Sequence, residues 1–237
     1  MNILMIDTSG PACGVAVMKD GKIAYEAQLV SGRTHSQRVM PMVDTALAMS
    51  EVSMGEIDLF GAVLGPGSFT GVRIGVSTVK ALAHAAGKPC IGVDALQALA
   101  ANVPGFEGII CPILDARAQQ VYGAMFRAGD VPERMMDDEA MKLVDFLALV
   151  QKTGEPALFL GDGVAVCEAK IRETLGGQAH FAQPQHMNLR AGSACALAAH
   201  LAQEESAVTD YIHLLPLYLR APQAERERAA KEAAKHG

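Results

Sequence analysis

No two cysteines of this chain stand close together. Cys13, Cys90, Cys111, Cys167 and Cys195 are odd in number, widely spaced and free of any C-x-x-C pair, which argues against a disulfide framework and for reduced, buried thiols. No apolar run approaches the roughly 18 residues that a membrane helix needs. The opening "MNILMIDTSG" lacks a basic n-region and reaches a charge at Asp7, so neither a signal peptide nor a membrane partner is expected, and a cytoplasmic location is. Basic residues are also in short supply. Twenty Lys and Arg against 26 Asp and Glu give a net charge of −6, the wrong sign for gripping DNA or RNA unaided. Hydrophobic residues, by contrast, make up 50% of the 237, enough for one large core or two modest ones.

Strand and helix signals alternate along the whole length, which predicts the α/β class. "NILMID" reads as a short apolar strand, and "ACGVAVMKDGKIAYEAQL" as two strands around an Asp20-Gly21 hairpin turn. "THSQRVMPMVDTALAM" places Val39, Met40, Val43, Ala46 and Leu47 at helical spacing, with Pro41 near the start. "LFGAVLG" is a buried strand followed by a glycine turn and a helix to about Ala86. "PCIGVD" is a further strand, and "ALQALAANV" a short helix closed by Pro104-Gly105. A similar order then restarts. "GIICPILDAR" and "QQVYGAMFRAG" read as strands, "DDEAMKLVDFLALVQ" as a helix, and "ALFLGDG" as a strand. "VAVCEAKIRETLG" and "LRAGSACALAAHLAQEE" are helices, and "HLLPLYLR" is extended. The recurrence predicts a first α/β domain over 1–105, a second, smaller one over 106–220, and a charged tail over 221–237.

The stretch "AVLGPGSFTGVRIGVSTVKALA" has the strand, glycine turn and helix order of a phosphate cradle, yet fits none of the phosphate-loop patterns. A Walker loop fails for want of Gly-Lys-Ser/Thr. A dinucleotide fingerprint fails because Thr70 stands where its third glycine belongs, and a nucleophile elbow fails because Pro66 and Thr70 flank Ser68. The turn keeps physical meaning all the same. Gly65, Gly67 and Gly71 permit close backbone approach, and Ser68 suits a helix N-cap whose free N–H groups attract anions. Gly67, Gly71 and Gly75 recur every four residues and clear one helix face. Something packs very close there, either the adjoining sheet or a helix of another subunit.

"IDTSGPACGVAV", "RTHSQRVMPMVDTAL" and "LGPGSFTGVRIGVSTVKALA", together with "DARAQQVY", "GDG" and "PLYLR", resemble the TsaB (YeaZ) family. The resemblance implies an actin/hexokinase-like (ASKHA) fold of two related α/β domains. It also implies a non-catalytic partner of the paralogue TsaD, which installs the threonylcarbamoyl group on the adenosine beside the anticodon of tRNAs reading A-starting codons. A homodimer in isolation, a heterodimer with TsaD, the ATPase TsaE as a further component, and tRNA met only through the complex are all implied. The alternative is an actin-fold kinase or ATPase acting on its own.

In TsaD, a His-x-x-x-His pair on the helix after the third core strand holds a metal. The matching places here are Ala95 and Leu99, and neither side chain ligates. His35, His84, His180, His186, His200, His213 and His236 show no paired metal spacing, so no metal and no cofactor are expected. Ser9, Ser68 and Asp115 are the raw material of a triad without a local signature. Asp7, Thr8 and Ser9 with Gly65, Gly67 and Ser68, and Gly161 with Gly163 in the second half, mark where nucleotide phosphates and adenosine would lie in such a fold. They are read as weak or vestigial. The partner-docking surface is expected on two helices, at Val39, Met42, Val43, Ala46 and Leu47 of the first and Gly71, Gly75, Val79 and Leu82 of the second. Their apolar residues spread beyond a single stripe, and the resemblance implies a four-helix contact.

Overall fold

The Asp20-Gly21 turn adopts the left-handed geometry its residues favour, with φ of 51° and 77°. It joins β2 (Ala12–Lys19) to β3 (Lys22–Val30) in an antiparallel pair. The wholly buried β1 (Ile3–Asp7) lies between β2 and β4 (Leu59–Gly65), and β5 (Cys90–Asp94) pairs parallel to β4. The computed structural model describes residues 1–31 and 34–220, so the predicted charged tail lies outside the described residues.

The second sheet repeats the first. Strands β6 (Ile109–Asp115), β7 (Gln120–Arg127) and β8 (Glu133–Lys142) form an antiparallel meander, and β9 (Ala157–Leu160) and β10 (Ala179–Phe181) add parallel strands. Its order, β8-β7-β6-β9-β10, matches β3-β2-β1-β4-β5 of the first sheet, to which a short β11 (Val208–Thr209) is added antiparallel beyond β5. Two copies of one α/β plan face each other, the actin/hexokinase-like arrangement.

Alternation along the strands builds five layers. Leu4 and Ile6 of β1 face outward onto α1 (Val39–Ser50) and α2 (Phe69–Ala86), meeting Val43, Val72, Val76 and Val79. Ile3 and Met5 face inward, onto a core that also holds Ile110, Leu114, Phe126 and Leu160 of the second sheet. Between the sheets lie α3 (Ala95–Ala100) and α6 (Ala191–Leu201), and α4 (Leu143–Thr153) and α5 (Val164–Leu175) cover the far side of the second sheet. All five cysteines are buried and free.

Three boundaries differ from the sequence expectation. The first helix begins with a 3-10 turn at His35–Gln37, and α-helix starts only at Val39. The run Asp137–Lys142 is not helical: it completes β8 against β7, and helix starts at Leu143. The second domain does not extend to 220. Helix α6 packs on β1, β2 and β3, and β11 extends the first sheet, so the chain returns to the first unit because that sheet's inner face needs a second helix to bury it.

Candidate functional site

The cleft between the two sheets opens where their central strands end. It has a volume of about 460 Å³ and is walled by Ser9 to Pro11, Pro66 to Thr70, Leu114 to Arg117, Asp162 and Leu217 to Arg220. Every turn that the sequence marked for nucleotide contact is near it, but most of their side chains are engaged internally. Asp7, Thr8 and Ser9 are 1–2% exposed. The Ser9 hydroxyl and backbone N–H both donate to Asp7 Oδ1, at 2.6 and 2.8 Å. The Thr8 hydroxyl donates to the Gly71 carbonyl at 2.7 Å. Burial pushes the Asp7 carboxyl up to about 6, against the pull of the two Ser9 hydrogen bonds. Ser9, Gly67 and Ser68 line the cleft, Asp7 and Gly161 line a small hollow beneath it, and Thr8, Gly65 and Gly163 line neither.

Ser68 caps α2 as expected, its Oγ accepting from Gly71 N–H at 3.2 Å. Its own N–H donates to the Ser9 carbonyl at 2.7 Å, so the glycine turn is fastened to the end of β1. The glycine face of α2 completes that joint. A Cβ on Gly67 would fall on the Ser9 carbonyl oxygen, one on Gly71 on the Thr8 carbonyl oxygen, and one on Gly75 at 2.5 Å from Thr8 Oγ1. The close neighbour of this face is therefore the β1–β2 turn of the same chain, not a helix of another subunit.

The expected docking residues divide by burial, and six of the nine are not on the surface. Val39, Val43, Ala46, Gly71, Gly75 and Val79 belong to the chain's own outer core, and Met42, Leu47 and Leu82 pack half-buried against it. The large apolar side chains that α1 presents outward are Met40, 38% exposed, and Met49, 69% exposed. The exposed positions of α2 include Arg73, Ser77, Ala81, His84 and Ala85, and the helix carries no acidic residue.

In the second unit, the Asp115 N–H donates to Asp162 Oδ1 at 3.1 Å, and the Arg117 N–H donates to Asp115 Oδ1 at 2.8 Å. Burial raises the Asp162 carboxyl above its ordinary range. Ser9, Ser68 and Asp115, the raw material of a triad, do share the cleft, but among the described residues its lining contains no histidine, His35 reaching only the Gly10 carbonyl, at 2.9 Å. On α3, Ala95 and Leu99 are fully buried in the inner core.

Sequence reading missed two features. Arg134 of β8 is bonded to Asp138 and lies 3.3 Å from Asp94, the N-cap of α3, while Gln97 Nε2 donates to the Pro132 carbonyl at 3.2 Å. Burial and the neighbouring Asp138 raise the Asp94 carboxyl well above the carboxylate range. Leu217 to Arg220 form a wall of the cleft, a role that "HLLPLYLR" gives no periodic signal for.

The comparisons agree with this architecture. The family model described as TsaD, tRNA N6-adenosine threonylcarbamoyltransferase, matches residues 29–228. The chain is 34% identical to the tRNA threonylcarbamoyladenosine biosynthesis protein TsaB of Bacillus subtilis, over 95% of this chain and 96% of that one. It is 40% identical to Escherichia coli TsaB over 54% of this chain and 55% of the relative. Among solved structures, YeaZ from Pseudomonas aeruginosa superposes with a TM-score of 0.76 at 25% identity, covering 92% of this chain and 99% of that one. A duplicated α/β fold and a match along nearly the whole length place the chain in the TsaB (YeaZ) family, within the wider TsaD-type group.

Proposed function

We propose that the chain is a non-catalytic subunit in tRNA threonylcarbamoyladenosine biosynthesis. It binds and activates a TsaD-type catalytic partner, works with the ATPase TsaE in the cytoplasm, and pairs with a second copy of itself when that partner is missing. The observation that carries this reading is α3. Its Ala95, Leu96, Ala98 and Leu99 are wholly buried between the sheets. The two positions set against the paralogue's metal-binding histidines are thus alkyl groups in a sealed core, with no lone pair to offer a metal and no proton to move. On this reading the chemistry belongs to the partner, and tRNA reaches this chain only through the complex.

The outward side of α1 and α2 supports the docking role. Met40 and Met49 are exposed on α1, and methionine, unbranched and easily repacked, suits a face that meets either of two partners. The test is threonine incorporation into unmodified tRNA by TsaD, TsaE and the adenylate-forming enzyme, with ATP and bicarbonate, with and without this chain. Incorporation is expected to depend on the chain, and the chain alone is expected to give none. Full incorporation in its absence would overturn the reading.

A second reading, an actin-fold kinase acting alone, draws on the cleft, where Asp115 and Asp162 face Ser9 and Ser68 across about 460 Å³. Calorimetric titration of the isolated chain with Mg-ATP separates the two readings. Micromolar binding supports the kinase, and absence of heat supports the docking subunit.

A further inference from the structure

Beyond β11 the chain crosses both units. Lys80 Nζ of α2 donates to the carbonyls of Ile212 and Leu214, both at 3.2 Å, and the His84 ring lies 4.4 Å from that of Tyr211. Leu214, 1% exposed, is inserted into the outer core. The Leu217 N–H then donates to the Leu64 carbonyl at 2.8 Å, near the end of β4. Gly65 accommodates this approach: its φ is 109°, and a Cβ there would lie 2.8 Å from the Leu217 carbonyl oxygen. Tyr218 packs on Phe69 with ring centres 4.8 Å apart and accepts from Arg73 Nε at 2.9 Å, while the Arg73 guanidinium covers the Phe69 ring at 3.9 Å.

The contacts named so far are all with the first unit. Arg220 changes that. Its Nη1 donates to the Ala116 carbonyl at 3.2 Å, just past the end of β6 in the second sheet. The same residues, Leu217 to Arg220, stand in the cleft wall with Ser9 and Gly10 on one side and Asp115 and Ala116 on the other. Other polar contacts that join the units, among them Arg134 to Asp94, Gln97 to Pro132 and Asn102 Nδ2 to the carbonyls of His186 and Asn188, involve none of the residues lining the cleft.

We propose that Leu214–Arg220 is a clamp that sets the width of the cleft. Lys80, Leu64 and the Phe69–Arg73 pair hold its root on the first unit, and Arg220 ties its tip to the second. The inner core of α3 and α6 lets the units share a hydrophobic centre, whereas a short cross-tie at the cleft mouth limits how far the sheets swing about that centre. The Tyr218 stack matters because it keeps Arg220 within reach of Ala116.

The test uses the full chain with spin labels on cysteines introduced by Ser77→Cys and Ala148→Cys, exposed positions on the outer helices α2 and α4, diluted into an excess of unlabelled chain so that only distances within one copy are read. The five native thiols are buried. Pulsed electron resonance should give a narrow inter-label distance with the clamp intact. Arg220→Ala and Tyr218→Ala are each expected to broaden the distribution and shift it to longer distance, and the double variant is expected to add nothing, because both act through one tie. Arg127→Ala, which removes a surface pair with Glu155, serves as the control that leaves the distance unchanged. A distribution identical to the intact chain in Arg220→Ala would overturn the proposal. If Tyr218→Ala loses its circular dichroism, Arg220→Ala decides alone.

Discussion

A Cβ on Gly71 would fall on the backbone carbonyl of Thr8, so no rotamer change relieves the clash and either α2 or the end of β1 must move. The Thr8 hydroxyl that bonds the Gly71 carbonyl would be displaced with it. Gly71→Ala should therefore destabilise the fold by about 2–4 kcal/mol despite the better helix propensity of alanine. The check is a thermal melt, where a fall of roughly 5–15 °C is expected for a chain of this size, and an unchanged midpoint would contradict the packing described. Asp7 makes a different kind of prediction. Its carboxyl is raised from 3.8 to about 6, so the folded chain favours the protonated form. The resulting stabilisation is full below 3.8 and is lost as pH rises through about 6. Asp7→Asn keeps an acceptor for the two Ser9 donors and cannot ionise. Comparing urea-unfolding free energies of the two proteins from pH 4 to pH 7 should show a decline of about 1–3 kcal/mol in the parent that the variant lacks. Parallel curves would mean that Asp7 is not the group responsible.

At the level of single elements, β8 shows why part of the architecture could not be read from pattern alone. "DDEAMKLVDFLALVQ" carries helical spacing, and its first half is acidic, as helix starts often are. Those acids instead lie on an edge strand whose residues alternate exposed and half-buried, a strand specified by pairing with β7 rather than by apolar content. Its inward-pointing Arg134 then serves both Asp138 and Asp94. Arg134→Gln removes the cation shared by two neighbouring carboxyls and should cost about 1–3 kcal/mol. Adding Asp138→Asn should restore part of that, since one of two like charges disappears. A double variant no more stable than Arg134→Gln would show that repulsion between the carboxyls is not the source of the loss. The four-residue glycine period of α2, by contrast, was legible as a demand for close approach. Its neighbour was not, because Thr8 lies 63 residues from Gly71 and spacing along one helix says nothing about what it meets. The expected docking residues divide for the same reason: Val43 and Val79 satisfy the chain's own sheet, leaving Met40 and Met49 as the large apolar side chains exposed on α1. Met49→Asp, at a 69% exposed position, should leave the unfolding free energy within about 0.5 kcal/mol of the parent while weakening both self-association and binding to a TsaD-type partner in sedimentation. Undiminished binding of both kinds would remove α1 from the docking face.

For the whole molecule, two repeated sheet orders suggest two domains, and the strand sequence made that duplication readable, as did the Asp20-Gly21 hairpin and the buried β1. Independence of the halves does not follow from it. The inner core draws Ile3 and Met5 from the first sheet, Ile110 and Phe126 from the second, and Ala194 and Cys195 from α6. Helix α6 follows the second unit in sequence, yet packs on β1, β2 and β3 of the first. Its alanine-rich run marks it as buried without saying under which sheet. The chain thus passes from the first unit to the second and back, and neither half covers its inner face when cut at the boundary near 105. One cooperative transition is expected: native-state hydrogen exchange should give the amides of β1 and β6, one from each sheet, the same free energy of opening at low denaturant. A fragment ending at 105 should lack protected amides altogether, because Ile3, Met5, Leu96 and Leu99 would lose the side chains that bury them. Two separate opening energies, or a protected fragment, would establish that the repeated units fold on their own and that the core they share is an interface rather than a common centre.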